Sequence, residues 1–225
     1  MDLAIVHSVF VHGRESSMTN IKGTIKLDEK SFLKQVEKDV SKTLNKNVSK
    51  IQRILNDRIE KIVFQRLITG LPTIQGADLA EIGVPDINTR LASIVGVVAK
   101  NSQVIVRSGK QVRIEIKILR DDYSDILSLP ESVYIYTSAK GSGILEWLKW
   151  ILLDGTSQII GGFEFSPLAS PFSRTGGGVM VAGNGWSVPP SIAGNAGNNI
   201  LTRSLQNIEQ DIKIIVNQEL QRMIK

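Results

Sequence analysis

GGFEFSPLASPFSRTGGGVMVAGNGWSVPPSIAGNAGNNILTR, residues 161–203, is the stretch on which the reading of the fold turns. It holds nine of the chain's 19 glycines, too many for a segment that builds a compact core alone. Yet Phe163, Phe165, Phe172, Val179, Met180, Val181, Trp186 and Ile192 punctuate it with apolar side chains. A structureless connection of this length is uncommon inside a compact domain and is usually functional or disordered. Two readings follow. The segment is either a long surface loop tucked against its own domain, or an arm that orders itself against a neighbouring subunit.

On either side of that stretch the chain reads as ordinary folded protein. A continuous QIIGGFEFS at 158–166 predicts a strand entering it, and GVMVA at 178–182 predicts a second strand inside it. Upstream, ILEWLKWILLDG predicts a helix opened by Gly143 and apolar almost all round, hence buried on more than one side. Downstream, Ile200, Leu201, Leu205, Ile208, Ile212, Ile215, Val216 and Leu220 form the buried stripe of a final helix from about Asn199 to Lys225.

The N-terminal half alternates the same two periods. Residues 3–12 and 20–27 are short and rich in β-branched residues, so they read as strands or as an arm followed by a strand. From Asp28 to Gly70 apolar residues recur at three and four, which predicts one long helix with Asp28 or Ser31 as N-cap and Gly70–Pro72 as its stop. At ~1.5 Å per residue it would be roughly 60 Å long, so the expectation is a single break or a projection beyond the core. A shorter helix starts near Asp86 or Asn88, with Leu91, Ile94, Val95 and Val98 as its apolar face. QVIVR at 103–107 and QVRIEIKIL at 111–119, joined by Ser108-Gly109-Lys110, read as a hairpin with Val112, Ile114, Ile116 and Ile118 on one face. SVYIYT at 132–137 is a further strand. The expected class is α+β: a long N-terminal helix and a C-terminal helix packed on a mainly antiparallel sheet, with a long glycine-rich arm. Residues 1–27 read as an N-terminal arm or strands, and 28–225 as a single domain with its glycine-rich insertion at about 161–199.

Composition narrows the functional classes. Of the residues, 42% are hydrophobic and 22% charged, as in a soluble globular protein. No apolar run approaches the roughly 18 residues of a membrane span, and no basic segment precedes the short apolar patch at the N-terminus as in a secretory signal, so the expectation is a cytoplasmic protein with no membrane partner. Without cysteine there are no disulfides, thiol nucleophiles or cysteine zinc sites. The net charge of +5 comes from residues 1–70, which carry 13 Lys and Arg against 8 Asp and Glu. Lys26, Lys30, Lys34, Lys38, Lys42, Lys46 and Lys50 recur every four residues, a row that winds slowly around its helix as a solvated pattern does.

Tests for chemistry give little. Lys140-Gly141-Ser142-Gly143, placed between strand and helix, could seat a phosphate on a helix N-terminus, but lacks the further glycines and Walker lysine of a nucleotide site. Asp121, Asp122 and Asp125 could bind a cation, though acids in a turn more often cap it. His7 and His12 are the two histidines and, five apart on a strand, point to opposite faces. No catalytic residue, metal ligand or cofactor is assigned, and the chain is not read as an enzyme.

In the C-terminal third, LEWLKWILLDG, GFEFS, SRTGGGVMV, GWSVPPSIAG and NNILTRSL follow one another, and LITGLPTIQGADLAEIGVPDINTRLASIV precedes them. This succession resembles the neck and tail-completion proteins of tailed bacteriophages, over roughly residues 28–225. The resemblance implies a virion component, made in the host cytoplasm, whose copies form a hexameric ring that terminates the tail or joins it to the head. Neighbouring neck and tail proteins would be its partners, with DNA passing through the ring without sequence-specific binding. The interface expected from this and from the opening stretch comprises Phe172, Arg174, Gly176, Gly177, Gly178, Trp186, Pro189, Pro190, Asn199 and Arg203. The alternatives are another tail-associated subunit, or a basic nucleic-acid-associated protein using the lysine row.

Overall fold

The structure, a computed structural model, describes residues 20–21, 42–71, 77–108, 112–120, 122–138, 141–155, 157–167 and 173–224. The readings of residues 3–12 as a strand, of 28–41 as helix, and the histidines lie outside them. In chain order the elements are β1 (Asn20–Ile21), α1 (Val48–Gly70), α2 (Ala77–Ile82), α3 (Ile87–Asn101), β2 (Gln103–Arg107), β3 (Arg113–Lys117), α4 (Ser124–Leu127) and β4 (Tyr134–Ser138). Then come β5 (Gly141–Leu145), α5 (Trp147–Lys149, continued by a π-turn over Trp150–Asp154), β6 (Gln158–Ser166), β7 (Val179–Ser187), α6 (Ile200–Ser204) and α7 (Ile208–Ile224). The fold is α+β, as its pattern predicts.

α1 forms because Ile51, Leu55, Ile59, Val63 and Leu67, four residues apart, make one stripe that is wholly buried. The expected break in the long helix falls at Asn47. Its Nδ2 donates to the Thr43 carbonyl at 2.8 Å, and its own carbonyl accepts from Ile51 N at 2.8 Å. The residue thus closes the helical turn at 42–46 and opens the next helix. α7 lies antiparallel on α1, tied by Arg58–Glu219 at 3.3 Å and Arg66–Asp211 through Nε at 2.8 Å. The expected single C-terminal helix is corrected to two, α6 and α7, because Asn207 takes a left-handed φ of 62°, a conformation that interrupts a helix.

The expected antiparallel sheet is corrected to three small ones: β1-β3-β2, β4-β5 and β6-β7. In the first, Val104, Val106, Ile114 and Ile116 face the core beside Val112 and Ile118. The outer edge of β2 is not left open. Val104 N donates to Asn56 Oδ1 at 2.7 Å and Val106 N to Gln52 Oε1 at 3.2 Å. The i, i+4 rise of a helix, about 6 Å, nearly matches the two-residue rise of a strand, about 6.6 Å, so two side chains of α1 stand in for a missing neighbour strand.

A second correction concerns Gly143, which opens no helix but lies in β5, paired with Tyr136 across β4. A Cβ there would meet the Tyr136 ring, 2.5 Å from its hydroxyl oxygen, so only glycine lets the tyrosine fold across the ribbon. The helix starts at Trp147 instead, whose Nε1 donates to the Glu131 carbonyl at 2.9 Å. This change also removes the helix N-terminus from the Lys140–Gly143 phosphate candidate; Lys140 itself lies outside the described residues.

Candidate partner interface

The glycine-rich stretch is a two-stranded ribbon that bends back onto its own chain. Register slips by one residue between Gln158 and Ile160 and again between Gly161 and Phe163, and such bulges bend a ribbon. Gly162, with φ 75°, and Gly185, with φ 145°, supply the conformations that the bends require. Both ends of the ribbon then touch α2. At the tip, Thr175 Oγ1 donates to the Ala80 carbonyl at 3.2 Å, and a side chain on Gly177 would collide with the Ala80 methyl. At the base, Trp186 Nε1 donates to Glu81 Oε1 at 2.8 Å, and Ser191 Oγ bonds the Asp78 carboxylate.

This geometry corrects the assignment of Trp186. The indole is 4% exposed and meets Trp150 edge to face at 5.9 Å, so it belongs to the core of its own chain. Its neighbours lie 36 and 105 residues away in sequence, which is why a local window finds too few to bury it. Asn199 and Pro189 are likewise internal. Asn199 Oδ1 caps α6 by accepting from Leu201 N and Thr202 N, while its Nδ2 donates to Tyr123 Oη at 2.6 Å and to the Asn195 carbonyl at 3.0 Å. The buried Pro189 offers its carbonyl to Ile192 N and Ala193 N. Gly178 is buried too, with Phe165 and the Ser166 carbonyl where a Cβ would stand. Arg203 is half-buried and holds the 191–198 loop through the Ala193 carbonyl and Asn198 Oδ1, both at 3.3 Å; burial lowers its pKa from the usual arginine value.

Arg174, Gly176 and Pro190 remain at the surface. The Arg174 guanidinium lies 4.8 Å from the centroid of the Tyr136 ring, a cation–π contact between the two ribbons. Gly176, with φ 76°, has open space around it. Phe172 lies outside the described residues.

The strongest exposed apolar feature is one that the sequence reading misses. Ile135 and Ile144 face each other across β4 and β5 and are 67% and 62% exposed. The opposite face of that ribbon is occupied: Tyr134 sits under Arg90 at 5.5 Å and Tyr136 under Arg174. The isoleucine pair therefore forms an outer face. On β6–β7, Phe163 and Val181 are exposed from opposite faces, since Phe163 pairs with Ala182 and Val181 with Glu164. That part of the ribbon stands clear of the core. The available signal was the alternation in SVYIYT, which places Ile135 opposite its flanking tyrosines.

Other candidate chemistry is occupied locally. Asp122 accepts from Ser124 N at 3.0 Å, which lowers its pKa, and Asp125 accepts from Asn101 Nδ2 at 2.9 Å. They line an open polar cleft of about 600 Å³ with Lys117 and Arg120; Asp121 lies outside the described residues. Among the described residues no group of three or more His, Asp or Glu is placed to hold a metal ion, and no helix is long and apolar enough to cross a membrane. No protein family, curated protein or solved structure matches the chain.

Proposed function

We propose that the chain is a structural subunit of the neck of a tailed bacteriophage, assembling with copies of itself into a ring that completes the tail or joins it to the head. The observation that carries this reading is the outward Ile135–Ile144 pair on a two-stranded ribbon. The edges of a two-stranded ribbon can accept further strands, and an apolar pair left exposed on its outer face is surface that a partner can cover. Phe163 and Val181 on the second ribbon extend the same chemistry. The succession of motifs from LEWLKWILLDG to NNILTRSL supplies the class of assembly, with six copies and neighbouring neck and tail proteins as its partners and the virion as its place.

The interface is accordingly drawn from Ile135, Ile144, Phe163, Val181, Arg174 and Pro190, while Trp186, Pro189 and Asn199 set the scaffold. Mass spectrometry of purified phage particles, with quantification against the portal subunit, tests the reading. The expected result is the chain in the particle at a fixed stoichiometry of six per neck. Its absence from particles, or a copy number that varies between preparations, contradicts the proposal.

A further inference from the structure

We propose that Asn184 is a site of self-modification, where the folded β6–β7 ribbon converts its asparagine to aspartate and isoaspartate through a cyclic imide. Of the chain's asparagines, Asn184 alone precedes a glycine. That order matters because the main-chain nitrogen of the next residue must close on the side-chain carbonyl carbon, and a Cβ on that residue stands in its way. Gly185 has none and leaves the approach open.

The fold then leaves the dipeptide free to react. Gly161 pairs with Gly185 and Phe163 with Ala182, so Gly183 and Asn184 together face Gly162. Two residues against one make a bulge, the place where a strand leaves its ladder. Asn184 is exposed there, and Gly185 holds a φ of 145°, which favours glycine. Gln158 Nε2 donates to the Asn184 main-chain carbonyl at 3.5 Å, while among the described residues the Asn184 side-chain amide has no partner. Two other exposed asparagines are held by their side chains. Asn101 Nδ2 donates to Asp125 at 2.9 Å, and Asn195 Oδ1 accepts from Gly197 N at 3.0 Å and Asn198 N at 2.9 Å.

The reaction needs only water. Solvent base takes the Gly185 amide proton, and the nitrogen attacks Asn184 Cγ. The new N–Cγ bond forms as the Cγ–Nδ2 bond breaks, and the departing nitrogen takes protons from solvent and leaves as ammonia. Water then opens the imide on either side of its nitrogen. Breaking the bond to Cγ gives aspartate, and breaking the bond to the main-chain carbonyl carbon gives isoaspartate, with the chain rerouted through Cγ. One water is consumed and one ammonia released, with nothing oxidised or reduced. The product carboxylate stands next to Gly183, on which the Glu164 side chain lies. The ribbon that exposes Phe163 and Val181 thereby gains a second acid.

The inference is independent of the neck reading and is tested by incubating the folded full chain at mildly alkaline pH in heavy-oxygen water. Proteolysis and fragmentation mass spectrometry then locate each conversion. The expected result is progressive change of amide to acid at Asn184, with solvent oxygen incorporated, isoaspartate in excess and a rate that rises with pH, while Asn101 and Asn195 stay intact. Asn184→Gln, whose longer side chain closes the ring poorly, should abolish the isoaspartate that a specific carboxyl methyltransferase labels, and circular dichroism melting checks that this variant folds. The wild-type measurement stands without it. The inference is overturned if Asn184 stays intact in the folded chain and converts only in urea, if Asn101 or Asn195 converts as fast, or if folded Asn184→Gln is labelled as strongly as wild type, which would place the isoaspartate at Asp154–Gly155 instead.

Discussion

Asn199 joins α6, the 195–198 turn and Tyr123 through one fully buried amide. Its oxygen caps α6, and its nitrogen reaches Tyr123 and the 195–198 turn. Asn199→Ala removes both functions and is expected to cost about 1–2 kcal/mol for the cap, with a further 1–3 kcal/mol or so for the unsatisfied buried groups. Asn199→Asp keeps the cap acceptor but turns a buried carboxylate oxygen on the Asn195 carbonyl, so chemical denaturation should place it no higher than alanine. Trp186→Ala is expected to cost about 3–5 kcal/mol, as for a large core side chain, while Trp186→Phe loses chiefly the bond to Glu81, about 1 kcal/mol. A wild-type unfolding midpoint for Trp186→Ala would return the indole to the interface. At the surface, Asp122 has a folded pKa below its unfolded one, because Ser124 N donates to the ionised form. Its contribution is therefore present above about pH 4 and lost as the pH falls through the folded pKa. The stability gap between wild type and Asp122→Asn should close on acidification.

At the scale of elements, what repeats locally was legible and what depends on distant partners was not. The stripe from Ile51 to Leu67 and the alternation from Val112 to Ile118 each carry their own period, so α1 and the β2–β3 hairpin could be read directly. β5 could not, because Gly141-Ser142-Gly143-Ile144-Leu145 has no clear period and its pairing with β4 is what makes it a strand. Trp186 failed for the same reason, since α2 and α5 come to it only through the bends at Gly162 and Gly185. The edge of β2 was also invisible: nothing in the helical period marks Gln52 and Asn56 as partners of a strand, and only the strand beside them gives them that role. Asn56→Ala should leave Val104 N unpaired, cost about 1–3 kcal/mol, and open an edge that promotes self-association on heating. Urea denaturation and light scattering during a thermal ramp measure the two effects separately.

Across the whole molecule the surface divides by chemistry. Among the described residues the unpaired Lys42, Lys46, Lys50 and Arg53 lie before and at the start of α1, and the exposed apolar pairs sit on the β4–β5 and β6–β7 ribbons. The ribbons are joined to the core through Arg174, Tyr136, Trp186 and α2, so the isoleucine pair is carried on a fixed support. Exposed residues of this kind contribute little to the isolated fold, whereas a charge placed in an interface core costs association heavily. Ile135→Lys combined with Ile144→Lys should therefore leave the melting temperature of the monomer within the small range of surface substitutions. Sedimentation velocity on wild type and this double variant over a concentration series is the most direct measurement. The account predicts a wild-type chain that passes from monomer to one closed oligomer, and a folded variant that stays monomeric at every concentration. A double variant that assembles as wild type does, or a wild type that remains monomeric throughout, would contradict it.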